Sequence, residues 1–256
     1  MFSVALQLYS VREAMRENLG DTLARVAEYG YAGVEFAGLY GRSPEEIREL
    51  CEKNGLIPLS SHVQVREIEA DPSLPAGYKK IGTPYMGIPG HQWEEEEFGE
   101  SIRRIRAAAV AAQKAGLKML YHNHDNEIYK KIGKVCQLEA IFSEIPAELL
   151  QTEFDVGWLL VAGEDPAAWL RRYRGRAPLI HLKDFTYDLS ARTPGVRPAD
   201  LSDRSVGRGL LRVSEVLSAA EEAGTEWLIV EDEIRGRDEA LASVQASRAY
   251  LRALGI

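Results

Sequence analysis

A single (β/α)8 barrel spanning residues 1–256 is the fold this sequence predicts, and three observations predict it. Short runs rich in Val, Ile, Leu and Tyr alternate with longer segments whose apolar residues recur every three to four positions, so strands alternate with helices. Eight such strands fit within 256 residues, the size at which parallel strands with right-handed crossovers close on themselves. An open doubly wound sheet would carry a glycine-rich dinucleotide turn after its first strand, whereas here that strand runs into Tyr9-Ser10-Val11-Arg12.

The strands are expected at Ser3–Leu8, Gly33–Ala37, Ile57–His62, Tyr85–Ile88, Leu117–Asn123, Leu150–Asp155, Pro178–Leu182 and Trp227–Glu231. Helices are expected at Asp21–Tyr29, Pro44–Asn54, Phe98–Ala115, Pro166–Arg174, Val213–Ala223 and Glu239–Leu254. Several open with proline or an acidic residue, and Gly30, Gly55, Gly116 and Gly224 stop helices just before the next strand. Ser43-Pro44-Glu45-Glu46 combines an N-cap hydroxyl, a first-turn proline and a Glu that reaches back to the cap. The polar stretch from Gln64 to Thr83 promises at most a very short helix, and Asp184 to Gly209 shows no periodicity and is expected to be a functional loop.

Composition narrows the function. Lys plus Arg number 31 and Asp plus Glu 39, giving a net charge of −8, which opposes a cradle for nucleic acid. No apolar run is long enough to span a membrane, and Met1 to Ser10 lacks the basic start and cleavage site of a secretion signal. Cys51 and Cys136 fit no ligand spacing and are expected to be packed thiols. A reduced, cytoplasmic setting is expected, with no nucleic-acid or membrane partner, and a homo-oligomer is compatible with the sequence.

Barrel chemistry collects at the carboxyl ends of strands. Histidines gather there: His62 ends strand three, His91 follows strand four, His122 and His124 end strand five, and His181 lies near the end of strand seven. Apolar strands six and eight end in Asp155 and Glu231, which would face a poorly hydrated mouth, where carboxylates need a cation, an ion pair or hydrogen bonds. This mixed nitrogen and oxygen set suits Mn2+, Mg2+, Co2+ or Zn2+. His122 and His124 share a face two residues apart, with Glu127 following on the loop. Lys183 holds a substrate oxygen or phosphate or neutralises the acidic mouth; Glu35 contacts substrate or is a structural acid. Trp158 and Trp93 offer an apolar wall for a sugar ring, while Glu94 to Glu97 read as an acidic helix start and Gly207-Arg208-Gly209 as a tight turn.

Gln7-Leu8-Tyr9-Ser10-Val11-Arg12, Gly33-Val34-Glu35-Phe36, Tyr121-His122-Asn123-His124-Asp125, Phe154-Asp155-Val156-Gly157-Trp158 and His181-Leu182-Lys183-Asp184 together resemble the sugar phosphate isomerase/epimerase family of xylose-isomerase-like TIM barrels. The resemblance covers nearly the whole chain in order. It implies a divalent metal held by Glu after strand five, Asp at strand six, His at strand seven and Glu at strand eight. Here those become Glu127, Asp155, His181 and Glu231, with His122 as the alternative at strand five, where the family's Glu position reads His. The implied activity is sugar isomerisation or epimerisation by proton abstraction beside a carbonyl, through a metal-stabilised enediolate. Glu127 and Glu231 are then the acid/base pair; His62, His122 and His124 bind substrate or shuttle protons, and Lys183, Glu35 and Trp158 contact substrate. Relatives of the same barrel type suggest alternatives: an inosose dehydratase or keto-glycoside lyase, an apurinic endonuclease, or a sugar-binding barrel without catalysis.

Overall fold

The computed structural model describes residues 2–90, 97–191 and 193–256. Its main sheet has eight strands: β1 (Ser3–Gln7), β2 (Gly33–Phe36), β3 (Ile57–Ser61), β4 (Tyr85–Pro89), β5 (Lys118–His122), β6 (Leu150–Asp155), β7 (Leu179–Leu182) and β8 (Trp227–Val230). They pair in parallel in the order β3-β2-β1-β8-β7-β6-β5-β4. A parallel bridge between His62 and Gly87 joins the two edges, with Val63 N–H donating to the Gly87 carbonyl at 2.9 Å. The expected barrel is the observed one, and each strand lies within a residue or so of its predicted bounds.

Helices cover the outside, including Leu19–Tyr29, Pro44–Lys53, Phe98–Lys114, Pro166–Arg172, Val213–Ala223 and Arg237–Ala253. At Ser43 the capping box forms as expected: Ser43 Oγ accepts from Glu46 N–H at 3.2 Å, and Glu46 Oε2 accepts from Ser43 N–H at 2.8 Å. The Leu19–Tyr29 helix starts two residues before its predicted Asp21 because Asn18 caps it, accepting from Asp21 N–H at 3.1 Å.

Several regions depart from the sequence reading. Gln64 to Thr83 forms two helices, Val65–Ala70 and Leu74–Ile81. Gln64 and Glu67 cap the first, and Ile68, Tyr78 and Ile81 anchor the pair in the core, so packing overrides a weak local signal. Val156–Ala162 and Gln137–Glu144 are helices that the pattern did not reveal; the former, Val-Gly-Trp-Leu-Leu-Val-Ala, is buried nearly all round and shows no polar face. The aperiodic stretch after β7 contains a short antiparallel ribbon, Asp184–Thr186 against Ser202–Arg204.

The Asp184 carboxylate organises that region. Oδ1 accepts from Phe185 N–H at 3.0 Å and Leu211 N–H at 2.9 Å, while Oδ2 accepts from Gly207 N–H at 3.0 Å and Gly209 N–H at 2.8 Å. A Cβ at Gly209 would run into this carboxylate, so the Gly207-Arg208-Gly209 turn exists to bring main chain against Asp184. Asp184→Ala strips four buried or half-buried amides of their acceptor and should lower unfolding stability by about 3 to 5 kcal/mol in urea titration. A loss below about 1 kcal/mol would show the ribbon to be independent of it.

The core has two main parts, beside a small cluster of Trp158, Val161, Phe185 and Tyr187 near the mouth. A broad apolar layer lies between strands and helices, and a smaller plug of Ala5, Leu59, Tyr85, Leu120, Leu179 and Ile229 fills the barrel interior. Side chains alternate along a strand, so residues two positions beyond this plug also point inward: Gln7, Gly87, His122, His181 and Glu231. The strand period therefore places a polar layer on an apolar floor at the carboxyl end. Cys51 and Cys136 are buried thiols, as expected. Among the described residues, no helix is long and apolar enough to cross a membrane.

Candidate metal centre and its surroundings

One ligand atom from each of His122, Asp155, His181 and Glu231 lies within 4.8 Å of the others, and all four residues are buried. They come from the ends of four consecutive strands. Asp155 pairs with His181 in the β6–β7 register, and Ile229 with His181 in the β7–β8 register, which sets Glu231 one step further toward the mouth. His181 Nδ1 is 2.9 Å from Glu231 Oε2. Asp155 Oδ1 caps the following helix by accepting from Trp158 N–H at 3.0 Å, which leaves Oδ2 buried without a partner. His122 Nδ1 is likewise buried without a hydrogen-bond partner, with Glu153 Oε2 at 3.7 Å.

These orphaned atoms fit a cation. Buried lone pairs without donors are costly, and a divalent ion satisfies them together. Burial, reinforced by neighbouring His181 and His62, holds His122 well below the usual imidazole range, so its ring is neutral with a lone pair to offer. Burial and the Glu231 charge push Asp155 up to about 7 although Lys183 pulls it down, the mark of a carboxylate short of positive charge. Glu231 moves the other way, because Lys183 and His181 outweigh the cost of its burial.

A second group, His62, His122, Glu153 and His181, lies against the first. Its carboxylate, Glu153, escaped sequence reading, although its period-two spacing from Asp155 on an inward face was the available signal. Glu153 Oε2 is 2.8 Å from His62 Nε2. Burial opposes its charge, but His62 and His181 hold Glu153 down at about 2. Burial and the neighbouring Glu153 charge push Glu35 up. Gly87 is required here: a Cβ would sit 2.8 Å from both Glu153 Oε2 and His62 Cδ2.

The remaining predicted residues divide by position. His62 and His124 line a cavity of about 480 Å³ at the mouth, with Tyr9, Tyr78, Glu231 and Glu233 among its other walls. Burial, with the Lys183 charge nearby, lowers His124 to about 4, so it is neutral near pH 7. Lys183 is buried, 3.6 Å from Glu231 and bonded to Glu233; these acids, with Asp155, raise its pKa against the effect of burial. Glu35 lies below the mouth against His181, at 2.7 Å. Trp158 is a buried wall, its ring 5.8 Å from His124 and 4.7 Å from Phe185, and Arg197 from the long loop lies over it at 4.6 Å while its guanidinium bonds the buried Asp125. His91 and Trp93 lie outside the described residues, as does most of Glu94 to Glu97.

Glu127 is placed apart from both groups. Its Oε1 accepts from Tyr121 O–H at 3.1 Å and its Oε2 from His124 N–H at 3.1 Å, and burial pushes its pKa up to about 8. The turn after β5 folds this side chain back under its own loop, while His122, still in the strand, faces the interior.

Among curated proteins, the chain is similar to inosose dehydratase from Geobacillus kaustophilus, 24% identical over 195 residues that cover 65% of this chain and 62% of that protein. It is also similar to inosose dehydratase from Clostridium beijerinckii, 26% identical over 175 residues covering 63% of this chain and 56% of that one. The chain thus spans less than two thirds of either relative. Among solved structures, a sugar phosphate isomerase/epimerase from Parabacteroides distasonis ATCC 8503 superposes with a TM-score of 0.78 at 21% identity, covering 98% of this chain and 94% of the other. The IOLI protein, solved with a bound zinc atom, superposes with a TM-score of 0.74 at 16% identity over 98% of both chains. These likenesses show the fold. The sequence model of the xylose isomerase-like TIM barrel matches residues 23–254, and the chain belongs to that family.

Proposed function

We propose that the protein is a divalent-metal-dependent sugar isomerase or epimerase that moves a proton on a carbon beside a carbonyl. The observation that carries this reading is the meeting of His122, Asp155, His181 and Glu231 at the open end of the barrel. These four would hold the ion; Mn2+, Mg2+, Co2+ and Zn2+ all suit two imidazoles with two carboxylates. When bound, such an ion supplies Lewis-acid stabilisation of the negative charge that develops as a carbon acid is deprotonated.

The protein's own groups supply the rest. Glu231 reaches the cavity from the end of β8 as a carboxylate, and it is the base that takes the proton. His124 also lines the cavity, and its ring serves as the second proton-handling group, a role that Glu127 is too deeply buried to share. Glu127 supports it from below through the His124 backbone. His62, oriented by Glu153, contacts substrate hydroxyls from the β3 side. Trp158, Phe185 and the strapped Arg197 form an aromatic and cationic wall beside His124.

Loss of a β-hydroxyl or alkoxide after the same proton abstraction would make the protein an inosose dehydratase or a keto-glycoside lyase. This second reading is favoured by the relatives in sequence that are inosose dehydratases. Incubating ketoses, inososes and keto-glycosides with the protein and Mn2+ in deuterated water tests both. Deuterium uptake beside the carbonyl with the skeleton retained supports the isomerase or epimerase reading. Elimination products support the second, and no uptake with any of them overturns the first.

A further inference from the structure

The chain running from Tyr9 through Gln7 and Glu35 to His181 crosses the barrel under the candidate metal group. Tyr9 N–H donates to Gln7 Oε1 at 3.0 Å, which fixes the orientation of the amide. Gln7 Nε2 therefore donates to Glu35 Oε2, at 2.7 Å. The same oxygen lies 2.7 Å from His181 Nε2, and Gln7, Glu35 and His181 are all at most 1% exposed. Gln7 and Glu35 are register partners on β1 and β2, whereas His181 stands on β7, so Glu35 reaches across the interior.

We infer that Glu35, held by Gln7, is the positioning residue that sets the ring orientation and tautomer of His181. As a carboxylate, Glu35 can only accept, and Oε2 then accepts from both Gln7 Nε2 and His181 Nε2, so His181 Nε2 carries the hydrogen in this contact. The Nδ1 edge is thereby turned toward Glu231 and Asp155, with its lone pair directed to their shared space whenever a cation replaces its hydrogen. A shorter acid on β2 would fall short of His181, and an apolar residue would remove the nearer of the two carboxylates at Nε2, leaving Glu153 Oε1 at 3.7 Å. The side chain touches no substrate; its effect passes through His181. This inference rests on the metal reading above.

The test is Co2+ affinity, measured by competition with a chromophoric chelator, together with the visible absorption spectrum of the bound ion. Wild-type protein is expected to bind Co2+ with one defined spectrum. Glu35→Ala should weaken binding by about 10- to 100-fold and alter the spectrum, while Glu35→Gln, whose amide oxygen still accepts from Nε2, should recover most of the affinity. Gln7→Met should weaken binding by a smaller factor, and it decides the matter if Glu35→Ala fails to fold. Wild-type affinity and spectrum in Glu35→Ala, or in Gln7→Met should that variant decide, would overturn the positioning role alone. Absence of Co2+ binding by the wild type would overturn the metal reading itself and this inference with it.

Discussion

Glu231→Gln should reduce deuterium uptake at the substrate carbon by about 1,000-fold or more, within the range that a positioned base contributes to proton transfer. The substitution keeps the volume and one oxygen but removes the charge that accepts the proton. Glu231 faces the cavity, 2.9 Å from His181 Nδ1 and 3.6 Å from Lys183 Nζ. Lys183 keeps its bond to Glu233 in the variant, so no cation is left unpaired in the interior and the fold should survive. Circular dichroism and the unfolding midpoint check the fold; proton NMR in deuterated water checks exchange. Near-normal exchange in a folded variant would remove Glu231 from the role of base.

The second large effect concerns strand five. His122→Ala should weaken binding of Mn2+ or Co2+ by more than about 100-fold, beyond what loss of an outer hydrogen-bond partner costs, because in the proposed site it removes one of the four residues that would hold the ion. Glu127→Gln should change affinity by only a few-fold. At neutral pH the Glu127 carboxyl, with its pKa raised to about 8, is already mostly protonated, and an amide is a close mimic of that neutral form. The sign follows from the same shift: burial favours the neutral acid, so any stability that Glu127 contributes is present at low pH and is lost as pH rises toward 8. Isothermal titration of both variants at pH 7 distinguishes the two residues. A large loss in Glu127→Gln with none in His122→Ala would return the strand-five ligand to Glu127.

The contrast between these residues shows how far the sequence carries. Each barrel strand was legible because its signals are local: a branched or aromatic run, a glycine or capping residue before it, and a periodic helix after it. The capping box at Ser43 is a four-residue pattern and formed as read. Asp155, His181 and Glu231 were legible because each lies at or near the end of a largely apolar strand, where a polar side chain needs a reason. The helices after Gln64 were not, since a short polar segment with proline gains its stability from Ile68, Tyr78 and Ile81 docking on distant elements. Glu153 was legible only in part: its spacing from Asp155 puts it on the inward face, but its partner His62 lies 91 positions away.

By itself, the sequence determined the strand-helix rhythm, the parallel closure that rhythm requires, and the strand ends at which polar groups accumulate, because alternation and chain length fix them without reference to remote contacts. Only the tertiary structure decided which of those groups meet. His122 rather than Glu127 joins Asp155, His181 and Glu231, and Glu35 rather than a nearer acid backs His181. Side-chain reach across the interior depends on register and strand order, and these arise when the sheet closes, from pairings between residues that lie far apart along the chain.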